Sequence, residues 1–139
     1  MNEVRRFFLV ASMLNFLLLS SCTQQGSKTY ANGDKYAGEL SCGKPNGHGT
    51  MTSPDGSIYE GEFKDGEPNG KGTYTSANGG RYAGEMKYGK PEGRGILTFA
   101  DGSKYAGEFK DGLQDGKGTF THPDGKKDVG MWKEGKMLY

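Results

Sequence analysis

A block of 23 residues recurs without interruption through most of the chain, and that period constrains the fold more than any single residue does. Asn32 opens NGDKYAGELSCGKPNGHGTMTSP, Asp55 opens DGSIYEGEFKDGEPNGKGTYTSA, Asn78 opens NGGRYAGEMKYGKPEGRGILTFA, and Asp101 opens DGSKYAGEFKDGLQDGKGTFTHP. A shortened DGKKDVGMWKEGKMLY follows from Asp124. A unit this small cannot bury a core alone, so each copy has to be stabilised by its neighbours, and whatever the chain does belongs to the array.

Within one copy the side chains alternate with the period of a strand. Tyr59, Gly61 and Phe63 fall on one face, with Ile58, Glu60, Glu62 and Lys64 on the other; Gly70, Gly72 and Tyr74 then share a face opposite Lys71, Thr73 and Thr75. No stretch repeats apolar residues at helical spacing, and each interior glycine would cost a helix about 1 kcal/mol. The expected fold is therefore all-β, an elongated single antiparallel sheet of consecutive β-hairpins. Between copies, Pro54-Asp55-Gly56 and its equivalents read as a type I turn closed by a left-handed glycine. A three-residue loop there sets Met51 against Tyr59, Tyr74 against Tyr82 and Leu97 against Tyr105, whereas a two-residue loop would mix the faces. The turns inside the copies, at Asp65-Gly66, Tyr88-Gly89 and Asp111-Gly112, read as looser.

All 25 glycines lie beyond residue 25 and keep fixed places in the repeat, which excludes a flexible linker despite a content far above the usual value of about 7%. A bare position beside an aromatic one lets a ring lie flat across the neighbouring strand. Aromatic cross-strand pairs then add roughly 0.2–1 kcal/mol each. Aliphatic residues are too few for a two-layer core. The aromatic face, Tyr36, Tyr59, Phe63, Tyr74, Tyr82, Tyr105 and Phe109, is mainly packing surface, and because nothing in the sequence remains to cover it, it is also a candidate binding strip.

The order Tyr-x-Gly-Glu-Phe/Met/Leu, a glycine turn, then Gly-x-Gly in units of 23 resembles the MORN repeat (membrane occupation and recognition nexus), in full over about 32–120. The resemblance implies hairpins in one twisted sheet, used as a scaffold, a dimerisation module or a lipid-associated module. The array then spans 32–139, with repeats 32–54, 55–77, 78–100 and 101–123 and a partial repeat 124–139. In the last copy Asp128 replaces the tyrosine and Met131 the glutamate, which resembles a terminal cap.

Residues 1–21 read as a targeting segment. Arg5 and Arg6 precede an apolar run from Phe7 to Leu19, short of the about 20 residues a membrane helix needs, so a cleaved signal is favoured. Leu19-Ser20-Ser21-Cys22 resembles the bacterial lipobox, the rival reading being an ordinary signal with an incidental cysteine. The lipobox implies cleavage before Cys22, a diacylglyceryl group on its thiol and acylation of its new amino terminus. Residues 22–31 are then the acylated cysteine and a short polar tether. Two or three chains, at about 0.8 kcal/mol per buried methylene, hold a small protein stably at a membrane. Thr23, rather than aspartate, after Cys22 implies the outer membrane by resemblance to sorting in diderm bacteria. Cys42 is either a surface substitution at a turn tip or a site of intermolecular disulfide formation or redox sensing; an acylated Cys22 is excluded as its partner.

Charge and motif content narrow the function classes. Setting Glu3, Arg5 and Arg6 aside from 18 basic and 17 acidic residues leaves the signs balanced, which disfavours nucleic acid. Glu39, Glu62, Glu85 and Glu108 form a ladder beside His48, Lys71, Arg94 and Lys117, read as pairing across strands or as a row of cations for phosphate. Hairpins about 10 Å apart cannot bring two of those carboxylates into one metal shell. Gly66 to Gly72 imitates a phosphate-binding loop but is one residue short and has glycine where a hydroxyl is needed, and His48 and His122 stand alone. No catalytic residue, metal site or cofactor is expected. The expected function is a non-enzymatic, lipid-anchored envelope protein acting as a protein-interaction or assembly scaffold. Its partners would be the membrane, an envelope protein and a second copy of the chain. The alternative is a binding module for phospholipid headgroups or cell-wall glycan through the aromatic strip and the cation ladders.

Overall fold

The structure, a computed structural model, describes residues 22–139; the expected signal segment lies outside them. Eleven strands follow one another: β1 Thr23–Thr29, β2 Lys35–Ser41, β3 Lys44–Thr52, β4 Ile58–Lys64, β5 Glu67–Thr75, β6 Arg81–Lys87, β7 Lys90–Thr98, β8 Lys104–Lys110, β9 Leu113–Thr121, β10 Lys127–Lys133 and β11 Lys136–Leu138. They form one antiparallel sheet in sequence order. Each strand is hydrogen-bonded only to its neighbours in the chain, as a quasi-one-dimensional repeat requires.

The loops between copies carry the expected chemistry. Ser53 N–H donates to Ser57 C=O (2.9 Å) and Gly56 N–H to Ser53 C=O (3.0 Å), which leaves Pro54-Asp55-Gly56 as a three-residue loop. Gly56 has φ +93°, where only glycine avoids a Cβ penalty, and the Asp55 carboxylate accepts from Ser57 N–H at 2.8 Å. Register follows: Met51 faces Tyr59, Tyr74 faces Tyr82 and Leu97 faces Tyr105.

The turns inside the copies are tighter than the sequence reading gave. Lys64 pairs with Glu67, so Asp65-Gly66 is a two-residue turn with both residues left-handed, φ +52° and +92°, the combination a tight hairpin favours. The slack lies inside the hairpin. Gly61 pairs with Gly72 and Phe63 with Pro68, so β5 spends extra residues around Gly70 (φ +109°) opposite Glu62. This bulge recurs in the β2–β3, β6–β7 and β8–β9 pairs.

Residues Thr23 to Thr29, expected as a tether, form β1, and all seven pair with β2. Gly26 of β1 lies opposite Gly38, and a Cβ there would sit 2.7 Å from Leu40 Cδ1. β1 thus stands to β2 as the second strand of each copy stands to the first strand of the next, and the bare Gly26 admits the Leu40 side chain.

Candidate functional site

The aromatic face builds the core of a one-layer protein. Each repeat tyrosine lies diagonally across the next strand, onto the second glycine of that strand's pair. Tyr36 seats on Gly49, Tyr59 on Gly72, Tyr82 on Gly95 and Tyr105 on Gly118, where a Cβ would overlap the ring. The hydroxyl then donates back to its own strand at the bulge: Tyr36 to Glu39 C=O at 2.6 Å, Tyr59 to Glu62 at 3.0 Å, Tyr82 to Glu85 at 2.7 Å and Tyr105 to Glu108 at 3.0 Å. A second row wedges between the tyrosines. Phe63 meets Tyr36 and Tyr59 edge-on at 5.0 and 5.1 Å, and Phe109 meets Tyr82 and Tyr105 at 5.0 and 5.2 Å. Trp132 closes the row against Tyr105 at 5.1 Å. These edge-to-face pairs add to the area each ring removes from water.

Burial raises the phenol pKa values. Tyr59 and Tyr82 are pushed up to about 12, first by loss of hydration and then by the Glu62 and Glu85 carboxylates, with a smaller effect of Tyr59 on Tyr82. Tyr36 and Tyr105 are raised for the same first reason.

The proposed binding strip is therefore mostly unavailable. Tyr36, Tyr59, Phe63, Tyr82, Tyr105 and Phe109 are buried, Tyr105 completely, and of the seven only Tyr74 is exposed, at 40%. The sequence reading missed that the wedge row of one hairpin fills the space between tyrosines of two hairpins, so the sheet covers its own rings without a second layer.

The glutamate ladder also has a different role. Glu39 accepts from His48 N–H at 3.0 Å, Glu85 from Arg94 N–H at 3.4 Å and Glu108 from Lys117 N–H at 3.0 Å. These backbone donors are freed by the bulge, and the carboxylate laps over the glycine beside them: Gly47, Gly70, Gly93 or Gly116. A charge-assisted cap of a bulge donor explains the glutamate in three of the four full copies, and in the remaining one Glu62 laps over Gly70 in the same way. Cross-strand pairing with His48, Lys71, Arg94 and Lys117 does not occur. The ion pairs among the described residues are His122–Asp128 at 2.7 Å and Lys133–Asp115 at 3.0 Å, both in the last hairpins. Each partner holds its aspartate below the usual carboxylate range through a side-chain hydrogen bond.

The face opposite the rings remains outward, and its character changes along the sheet. A single row runs through Thr50, Glu60, Thr73, Ala83, Ile96, Ala106, Thr119 and Val129. Its first part is polar. At the far end Ile96, Val129 and Met131 are exposed, Val129 at 71%, and with Ala106 they line an open groove flanked by Arg94 and Lys117. The sequence signal was substitution within the repeat: Ile96 stands where sister copies have Thr50, Thr73 and Thr119, and Met131 stands where they have glutamate.

Cys22 and Cys42, expected to be unrelated, are bonded to each other. Thr23 pairs with Ser41, which brings the residue before β1 opposite the residue after β2, and Cys42 N–H donates to Cys22 C=O at 3.0 Å. The exclusion of Cys22 as the partner of Cys42 rested on acylation, and in this structure the sulfur of Cys22 is occupied instead. Among the described residues no group of histidine, cysteine and carboxylate side chains could hold a metal.

A search of curated proteins returned no match. The family profile of the MORN repeat matches four times, at residues 36–58, 59–81, 82–104 and 105–127, well over half of the chain. Each match opens on a tyrosine that seats on glycine and takes in the bulge glutamate and the two glycines beyond it. The chain belongs to the MORN-repeat family.

Proposed function

We propose that the protein is a non-enzymatic interaction or assembly scaffold held at the bacterial envelope by a lipid on Cys22, presenting the glycine-backed face of its sheet to a protein partner. The observation that carries the reading is the division of labour between the faces: the rings are consumed by internal packing, while the opposite face ends in Ile96, Ala106, Val129 and Met131, open to solvent. An exposed apolar patch on a repeat protein marks a contact. The lipobox-like Leu19-Ser20-Ser21-Cys22 supports the anchor and, with Thr23, an outer-membrane destination. The alternative of glycan stacking on the aromatic strip loses its support, because six of its seven rings are covered.

The test is affinity capture from envelope extract with wild-type protein and with Val129→Glu and Ile96→Glu, which alter the outward face and leave the ring seats intact. A partner recovered by the wild type and lost by both variants supports the reading; capture indifferent to both, or no specific enrichment, overturns it. Metabolic labelling with an alkyne fatty acid tests the anchor separately, and absence of label that depends on Cys22 overturns that part.

A further inference from the structure

Each hairpin turn of the array is tied to the strand before it at one repeated place. Gly66 N–H donates to Pro45 C=O, Gly89 to Pro68, Gly112 to Pro91 and Gly135 to Gln114, all at 2.9 Å. At the first hairpin the carbonyl in the place of Pro45 is that of Cys22, but its donor is Cys42 N–H, one residue before Gly43, the counterpart of those glycines, and the two side chains add a covalent link. The first left-handed residue of the other turns is Asp65, Tyr88, Asp111 or Glu134. Only the turn facing the start of β1 carries cysteine, and only there does a second cysteine face it. The two Cα atoms lie 4.9 Å apart, within the range a disulfide spans, and both residues are exposed.

The Sγ of Cys22 can form one bond beyond its own Cβ. We propose that Cys42 competes with the lipid for that sulfur, so that oxidation to the Cys22–Cys42 disulfide sets the share of the protein that stays untethered. This inference rests on the lipid-anchor reading above.

In the lipid branch, the Cys22 thiolate forms a carbon–sulfur bond to the diacylglyceryl group of a phospholipid. The carbon–oxygen bond to phosphate breaks, the phosphorylated headgroup leaves with the electron pair, and the thiol proton goes to a base. In the disulfide branch, the two thiols pass two electrons to an oxidised dithiol–disulfide oxidoreductase of the envelope. One sulfur–sulfur bond forms in this chain, the oxidant's own bond is broken, and the oxidant takes up both protons. The separation of 20 residues places Cys42 near Cys22 at a local concentration on the order of millimolar even before folding. Once β1 is zipped to β2 the pairing register holds the two sulfurs together. Exposure leaves the bond open to exchange with other thiols, so a reductant can return Cys22 to the lipid branch before the signal is removed.

The full chain, with its signal, is expressed in a diderm bacterial host with and without its periplasmic disulfide-donating oxidoreductase. The probe is an alkyne fatty acid, read per molecule of protein, together with the intact mass of the untethered fraction. Wild type in the oxidising host should give an unlabelled species two hydrogens lighter than the dithiol. Cys42→Asp, which installs the residue found in two sister turns, and Cys42→Ser should each raise the labelled share by at least about twofold, and loss of the oxidoreductase should do the same for wild type only. Labelling that is complete in wild type, or unchanged by both substitutions and by the oxidant, overturns the competition while leaving the anchor standing. No label in any strain, with the lighter species still present, overturns the anchor and the competition with it. Circular dichroism of the two variants, expected to match wild type, shows whether the fold was kept.

Discussion

Gly118→Ala tests the ring seats most sharply, because the substitution adds one methyl group and changes nothing else. Gly118 has no left-handed backbone requirement, so the cost is contact alone. An added Cβ would overlap the Oη, Cε2 and Cζ atoms of Tyr105. That ring cannot retreat: it is wholly buried, with Phe109 edge-on at 5.2 Å and Trp132 at 5.1 Å. Overpacking a rigid site costs about 2–3 kcal/mol, which at a slope of about 1–3 kcal/mol per molar urea lowers the midpoint by roughly 0.7–3 M. Urea unfolding followed by the fluorescence of Trp132, the one tryptophan and a neighbour of the perturbed ring, reads the loss directly. Gly80→Ala is the matched control, since its nearest neighbour would be the side-chain Oδ1 of Asn78 at 3.4 Å, and it should change stability by less than about 0.5 kcal/mol. In a Tyr105→Ala background the Gly118→Ala penalty should vanish, as coupled neighbours require. A Gly118→Ala protein as stable as wild type, or a Gly80→Ala protein equally damaged, would refute the reasoning.

Three further outcomes are expected. Tyr59 and Tyr82 have folded pKa values of about 12 against an ordinary 10.0, so the folded state holds those protons longer. Their contribution is complete below pH 10 and is lost as pH rises from 10 to 12; absorbance at the phenolate band should show these rings titrating together with unfolding, and titration near pH 10 in intact protein would contradict it. Glu108→Ala should strip the cap from Lys117 N–H, cost about 1 kcal/mol and speed hydrogen exchange at that amide, while Glu108→Gln keeps an acceptor and should restore protection. Tyr105→Phe should lose the bond to Glu108 C=O (3.0 Å) and about 1 kcal/mol without changing ring packing, seen as a shifted urea midpoint with an unaltered fluorescence maximum.

The parts of this fold that were legible in the sequence are those fixed by local chemistry repeated in register. Asp55-Gly56 and its equivalents dictate the three-residue loops, and with the loop length set, period-two alternation places Tyr59 opposite Met51 and Tyr82 opposite Tyr74. What was not legible depends on how strands slip past one another. The bulge at Gly70 absorbs extra residues, which is why the Asp65-Gly66 turn read as loose when it is tight. The same slip turns Glu62 and its sisters over the adjacent glycine, and makes Glu39, Glu85 and Glu108 of an apparent surface charge ladder into caps. Alternation cannot say whether Phe63 faces solvent or fills the gap between Tyr36 and Tyr59, since both leave it on the same face. Cys22 and Cys42 were kept apart by a chemical assumption about one sulfur, although β1, once recognised as a strand, brings them opposite each other.

Tyrosine rings lying on bare glycines of the next strand are the physical basis of the whole ribbon, and proton NMR sees that contact without any substitution. Nuclear Overhauser cross-peaks should join the ring protons of Tyr36, Tyr59, Tyr82 and Tyr105 to the α-protons of Gly49, Gly72, Gly95 and Gly118, and those α-protons should be shifted strongly upfield by the ring currents. Glycine α-protons at their random-coil positions with no cross-peak to any tyrosine ring would contradict it.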